Sequence, residues 1–374
     1  MWWAVLTYLV PIYPLYAVLF ADTGLSGAQI SALFLIWSMV GILAEVPLGA
    51  LADRFSRRSA LVAASLLQAV GYVVWVTLPG FAGFAAGFVL WGLGGALESG
   101  AFDALLYDGL AAHGEQARFA QVNGRVTALN LITEIPTAAL ATVLFMVGGY
   151  QLAGWVSVGV CLAGAAVASR FPEPPRDEDD DELGYVALLK AGVREAGRSV
   201  GVRHAVIVVA LLGGLDAFEE YFPLLAQDWG VPSGWVPVAM AAIPLAGAAG
   251  ASLGGYGNRL TTLALALVLG VAVLVLVFSG VLRAPVGLVA VAVFYGLYRL
   301  VLVVGEARLQ DSIEGPARAT VTSVAEIGVE LSAVALYGAW AAGEVFGVAA
   351  LVAFVALLLP RWLRNTPARE RQPS

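Results

Sequence analysis

GALADRFSRR, residues 49–58, begins where one apolar run ends (28–50) and hands over to the next (59–79). A helix needs about 20 mostly apolar residues to cross the hydrocarbon layer of a bilayer. The decapeptide therefore reads as a short polar loop between two membrane-spanning helices. Working outward, further apolar stretches lie at 2–21, 82–107, 119–147, 151–169, 204–226, 234–255, 261–282, 285–309, 318–342 and 345–363. The one long polar segment, 171–203, divides these twelve runs six and six. The expectation is an all-α membrane protein of about twelve transmembrane helices in two pseudo-symmetric six-helix bundles, 1–170 and 204–374, the second ending in a basic tail.

Composition agrees. Hydrophobic residues make up 60% of the chain and charged residues 13%, whereas a soluble domain carries roughly a quarter charged. The net charge of −7 is local, because Asp177–Glu182 is an unbroken run of six acids. Within the linker, Pro172–Pro175 and that acid run have the composition of a flexible segment. From Tyr185 to Val200 the pattern turns amphipathic, with Lys190, Arg194 and Arg198 on one face, as in a helix lying along anionic headgroups.

The single cysteine, Cys161, excludes a disulfide framework or a thiolate metal site. Two histidines, His113 and His204, come with no metal-ligand spacing and no nucleophile motif. No enzyme, metal or cofactor is expected, and no nucleic-acid partner. Met1-Trp2-Trp3 opens the first span, without the basic region of a removable signal. Nineteen of the 20 basic residues are arginine, a bias typical of a high-G+C genome, hence of a bacterial inner membrane. Short cytoplasmic loops collect Lys and Arg. With both termini cytoplasmic, Arg54, Arg57, Arg58, Arg118, Arg259, Arg308 and Arg318 all fall on that side. Only Arg283 falls outside, and Arg125 and Arg299 fall within spans.

The halves echo one another at a spacing of about 200 residues. Gly49-Ala50-Leu51-Ala52-Asp53-Arg54 is matched by Gly254-Gly255-Tyr256-Gly257-Asn258-Arg259, and Trp91-Gly92-Leu93 by Tyr295-Gly296-Leu297. Asp103 and Asp108 correspond to Glu306 and Asp311, and Ala117-Arg118 to Ala317-Arg318. Duplicated helix bundles with a site near the midplane are a transporter architecture.

On these residues the chain resembles the major facilitator superfamily. GALADRFSRR is similar to that family's G-x-x-x-D-R-x-G-R-[RK] signature between helices two and three, departing at Ser56, where the signature has glycine. Ser99–Leu110, SGAFDALLYDGL, is similar to the fourth helix of a large group of bacterial members. The resemblance implies two bundles rocking about a central cavity, with Asp53 latching the cytoplasmic side. The G-x-x-x-G-P-x-x-G-G motif of many proton-driven drug antiporters is absent, and span five reads Thr133-Glu134-Ile135-Pro136 instead.

The latch that the resemblance implies comprises Gly49 and Asp53, with Arg54, Arg57, Arg58 and Asp108 expected to complete it as an ion-pair cluster, and Asp53 has a physical role of its own. Gly315-Pro316 places proline at the expected start of span eleven, and a carboxylate such as Asp53 is stabilised against a helix N-terminus. Ionised side chains at bilayer depth cost at least about 2.5–3.5 kcal/mol and tend to face a cavity or a partner. Ten acids fall within spans (Glu45, Glu98, Asp103, Glu134, Asp216, Glu219, Glu220, Glu306, Glu326 and Glu330) against Arg125 and Arg299.

Glu134 stands two residues before Pro136, which frees a carbonyl and is expected to loosen the helix. Helical spacing puts Glu326 and Glu330 on one face, and Asp216, Glu219 and Glu220 on another. Glu134, with Asp216 or Glu330, is the candidate proton carrier. Glu45 and Glu98, nearer the cytoplasmic halves of their spans, read as structural. Most of Trp75, Tyr107, Tyr221, Trp229 and Trp340 read as interface anchors. Trp37, Trp91, Tyr295 and Tyr298 are deep enough to line a cavity, suiting an amphipathic or cationic organic substrate.

The expected function is secondary active transport, as proton-coupled efflux by alternating access, with protons, a small molecule and the bilayer as partners and a monomer sufficient. The alternatives are proton-coupled uptake or facilitated diffusion of a metabolite and, in another class, a non-transporting receptor or scaffold.

Overall fold

The protein is seen here in a computed structural model, which describes residues 2–172, 200–257, 259–312 and 318–362. The acid run and most of the expected linker helix lie outside the described residues, as do Gly315-Pro316 and Asn258. Among the described residues all regular structure is helical.

Nine helices among them are long and apolar enough to cross a membrane. Two of these are each a pair joined by a tight turn. Phe119–Ala168 leaves helical geometry at Gly148 and Gly149, and Arg318–Trp362 does so at Gly343 and Glu344. Residues 200–228 add one more span, interrupted by the 3-10 stretch Leu215–Tyr221. Twelve helices result: α1 (Trp3–Asp22), α2 (Gly27–Phe55), α3 (Arg57–Thr77), α4 (Phe81–Ala111), α5 (119–147), α6 (150–168), α7 (200–228), α8 (Ser233–Ser252), α9 (Thr262–Leu282), α10 (Gly287–Ser312), α11 (318–342) and α12 (345–362).

Local chemistry sets the boundaries. Ser26 and Gln29 form a capping box that starts α2. Ser56, where the signature has glycine, is extended at φ −171°, a conformation open to any residue, and its hydroxyl accepts the Ser59 N–H at 3.0 Å to cap α3. Thr261 caps α9 in the same way, accepting from the Ala264 N–H at 3.1 Å.

Prolines inside α1 and α5 have opposite outcomes. Pro11 and Pro14 break α1, and the structure answers the freed groups: the Ile12 N–H donates to Ser157 Oγ at 2.9 Å, and the Thr137 hydroxyl donates to the Tyr8 carbonyl at 3.0 Å. Irregular backbone at membrane depth persists only where such partners exist. Pro136, by contrast, leaves α5 helical throughout 119–147. The loosening expected there is absent. Thr133 and Thr137 hydroxyls instead bond the carbonyls four residues back, each at 2.7 Å.

The described chain groups into two compact units. One holds α1–α6 together with Pro223–Ala241; the other holds α7 up to Phe222 and the chain from Ala242 onward. In the first, α4 packs on α2 and α3; in the second, α10 packs on α8 and α9. The matched glycines make the matched contacts. A Cβ on Gly92 would lie 2.9 Å from Val40 and 3.3 Å from the Trp37 carbonyl of α2, and one on Gly296 would lie 2.9 Å from the Ala246 carbonyl of α8. Close approach through small residues is how membrane helices associate, since lipid supplies no hydrophobic force between them. The outward faces are apolar. Along α9, Leu263, Leu267, Val271, Leu274, Phe278 and Val281 are exposed, while Leu265, Leu269, Ala272 and Leu276 are buried.

Of the aromatics read as interface anchors, Trp75, Tyr221, Trp229 and Trp340 are buried instead. Trp340 stacks on Tyr221 with centroids 4.2 Å apart, so these rings serve packing.

Candidate functional site

In the second unit α7 tightens into a 3-10 helix at Leu215–Tyr221. With three residues per turn, Asp216 and Glu219 eclipse while Glu220 points a third of a turn away. The shared face expected for all three acids is thus split. Tyr295 of α10 donates its hydroxyl to Asp216 Oδ1 at 2.9 Å and lies 3.4 Å from Glu219 Oε2. Arg299, one turn further along α10, donates Nη1 to Asp216 Oδ2 at 2.6 Å, with Cζ 6.0 Å from the Tyr295 ring centroid. The Asp216 and Arg299 side chains are 33% and 31% exposed, open on one side.

Gly247 of α8 makes room for the pair. A Cβ there would stand 2.6 Å from the Tyr295 ring and 3.3 Å from Arg299 Cγ. Tyr298, expected on a cavity wall, is only 1% exposed and spends its hydroxyl on the Leu212 carbonyl at 2.8 Å, bracing α7 from behind. Tyr295 is also buried, so its hydroxyl rather than its ring face serves the acids. Glu220 is 7% exposed and lies toward Tyr337 of α11. Glu326 and Glu330 are both exposed on α11, and Glu306 stands within electrostatic reach of Arg299.

In the first unit Glu134 is half-buried midway along α5, and no hydrogen bond or ion pair reaches it among the described residues. Trp37 and Trp91 are half-buried with centroids 5.2 Å apart. Glu98, read as structural, accepts from Gln68 Nε2 at 3.3 Å. Arg125 is exposed on α5.

Of the expected latch, Arg57 pairs with Asp108, joining the start of α3 to the end of α4. Arg58 is half-buried, and Gly49 faces open space. The side chains of Asp53 and Arg54 are outside the described set. The second unit carries a tie that sequence reasoning missed: Arg308 of α10 donates Nη2 to the Leu260 carbonyl at 2.5 Å and Nη1 to Thr262 Oγ1 at 3.1 Å.

A further polar cluster was also not foreseen. Asp22, at the end of α1, accepts from the Tyr150 hydroxyl and from Gln227 Nε2, each at 2.5 Å, and from the Ser233 hydroxyl at 3.2 Å. Gln227 and Ser233 belong to the Pro223–Ala241 segment that groups with the first six helices. Asp22 lies outside the apolar runs, so no cost of burial drew attention to it.

Solved structures share this fold at low identity. A point mutant of the nucleoside transporter NupG superposes with a TM-score of 0.73 at 13% identity, over 96% of this chain and 97% of that one. A bacterial homologue of the human lysosomal transporter Spinster, inward-facing and unoccupied, gives 0.72 at 16% identity over 98% and 97%. A D-xylose–proton symporter gives 0.70 at 14% identity over 98% and 97%. No curated protein matches the chain in sequence. The model of the Major Facilitator Superfamily matches residues 3–335, nearly the whole length over which the helices and their repeat extend, and the chain belongs to that superfamily.

Proposed function

We propose that the protein is a proton-coupled secondary transporter of the bacterial inner membrane, with both termini cytoplasmic, that exports a small amphipathic or cationic organic compound by alternating access. The observation carrying this reading is Glu134, a half-buried carboxylate inside a span with no hydrogen bond or ion pair among the described residues. Ionised at that depth it costs about 2.5–3.5 kcal/mol or more. Taking up a proton, or meeting a cation, removes that cost, and alternation between the two is what exchange of substrate for protons requires. In the second unit Arg299 and Tyr295 hold Asp216 in fixed geometry, which suits an anchoring role beside Glu219. The placement of Arg57, Arg58, Arg118, Arg259 and Arg308 at one set of helix ends supports the orientation.

Proton-coupled uptake is the second reading, favoured by the likeness of the fold to that of a D-xylose–proton symporter. Purified protein in proteoliposomes under an imposed pH gradient separates the two by the direction in which a fluorescent organic cation moves. Glu134→Gln is expected to abolish gradient-driven movement while sparing substrate exchange at equal pH. Driven transport by that variant at the wild-type rate removes Glu134 from the coupling.

A further inference from the structure

The rings of the first unit form a continuous cluster centred on Trp91. Its centroid lies 5.7 Å from Tyr13, 5.2 Å from Trp37, 6.1 Å from Phe88, and 6.3 Å from each of Tyr16, Tyr72 and Trp75. Tyr16, Tyr72, Trp75 and Phe88 are buried, so they make a fixed floor. Three rings stand proud of it. Tyr13, thrown out of α1 by the break between Pro11 and Pro14, is 43% exposed, and Trp37 and Trp91 are half-buried. The Trp91 indole N–H is buried and turned toward Tyr72, without a hydrogen bond of good geometry, so the ring rather than the N–H is what Trp91 offers outward.

The ridges below these rings show what they face. Residues four apart form a ridge along a helix. On α2 the ridge from Trp37 runs Gly41, Glu45, Gly49; on α4 the ridge from Trp91 runs Gly95, Ser99, Asp103. A Cβ on Gly41, Gly49 or Gly95 would meet nothing within 4 Å, and Glu45, Ser99 and Asp103 are exposed. A ridge that turns carboxylates outward within a span faces water rather than lipid. The lipid side of α2 is elsewhere, at Met39 and Leu43. Two helices thus place a tryptophan at one end of an open, glycine-floored strip and an acid further along it. Glu45 stands eight residues from Trp37, about 12 Å along the helix axis.

We infer that Tyr13, Trp37 and Trp91 form an aromatic binding subsite within the first unit, which takes the planar, positively charged part of an organic cation. The rings offer stacking area and the negative face of their π-systems, tryptophan most strongly. The open glycines leave room for a flat molecule, and the exposed Asp103 carboxylate further along the strip favours a positive charge. The inference rests on the transport reading above and names the class of compound that reading leaves broad.

The test is equilibrium binding of ethidium to the purified full chain in detergent, read by fluorescence polarisation, with the uncharged ring system phenanthridine as competitor. Binding needs neither a pH gradient nor transport, so loss of driven transport with intact binding counts against the transport reading and leaves the subsite standing. Ethidium is expected to saturate and phenanthridine to compete poorly. Trp91→Ala is expected to weaken binding at least about tenfold, and Trp91→Phe to retain most of it. Gly95→Leu puts a side chain into open space, so it folds, and it is expected to block binding; Leu43→Ala on the lipid side leaves it unchanged. Absence of saturable ethidium binding by the wild type overturns the inference, as does wild-type affinity in Gly95→Leu.

Discussion

Arg299 and Asp216 show how one pair of residues is made tolerable inside a span. The 2.6 Å contact neutralises both charges, and the Tyr295 hydroxyl satisfies the second carboxylate oxygen at 2.9 Å. Removing one partner leaves the other charged and incompletely paired. Full burial makes that loss severe, and solvent access softens it. Because a third of each side chain is exposed, Arg299→Ala is expected to cost about 1–3 kcal/mol. Asp216→Asn combined with Arg299→Gln, which removes both charges, is expected to recover part of that loss. Thermal unfolding in detergent checks both. Equal destabilisation by the single and double variants means that the Asp216 charge left without its partner is not the source of the loss.

Part of this site was legible residue by residue. A cation at mid-span needs an acid, and three acids lay on α7. Which acid it meets was not legible, because that depends on α7 tightening at Leu215–Tyr221, and no proline stands within those seven residues. Tyr295 and Tyr298 illustrate the same limit. They are three apart on one helix, yet one hydroxyl serves the acids and the other braces a carbonyl. Depth in a span follows from sequence position, whereas rotation about the helix axis follows from packing.

At the scale of elements, the hairpin turns α5–α6 and α11–α12 stand in corresponding places but are built differently. The first turns at Gly149, φ 62°, a conformation glycine adopts without steric cost. The second turns at Glu344, φ 49° and ψ −134°, where a side chain is strained. Its carboxylate is 3.5 Å from Arg283, itself at φ 41° at the end of α9. Both side chains are exposed, so the pair contributes little against the backbone cost. Glu344→Gly is therefore expected to stabilise the protein by about 1 kcal/mol, read as a raised unfolding midpoint. A lowered midpoint means the Arg283 contact outweighs the strain.

The helices themselves were legible because each apolar run must match the bilayer. The break in α1 had a signal in Pro11 and Pro14 that apolar periodicity alone passes over. The Asp22 cluster had none, because its partners Tyr150, Gln227 and Ser233 are 128 to 211 residues away.

At the scale of the whole molecule, duplication explains why fold and chemistry diverge. Gly92 and Gly296 make the same kind of helix contact in their two units, and Ser56 and Thr261 cap corresponding helices. The residues beside those shared contacts have different chemistry. Trp91 heads an aromatic cluster, while its counterpart Tyr295 holds an ion pair. A repeat specifies architecture through its small and capping residues and leaves the exposed positions free to specialise. That freedom is why the family could be recognised from GALADRFSRR while the substrate could not.

If movement of an organic cation is coupled to protons, linkage requires that a cation gradient drive proton movement in turn. Proteoliposomes holding an entrapped pH dye, with no initial pH difference, are given an ethidium gradient, and the internal pH is followed. Protons are expected to move opposite to ethidium in the wild type, with no proton movement in Glu134→Gln. Ethidium flux with no change in internal pH, or with protons travelling in the same direction, contradicts this coupling.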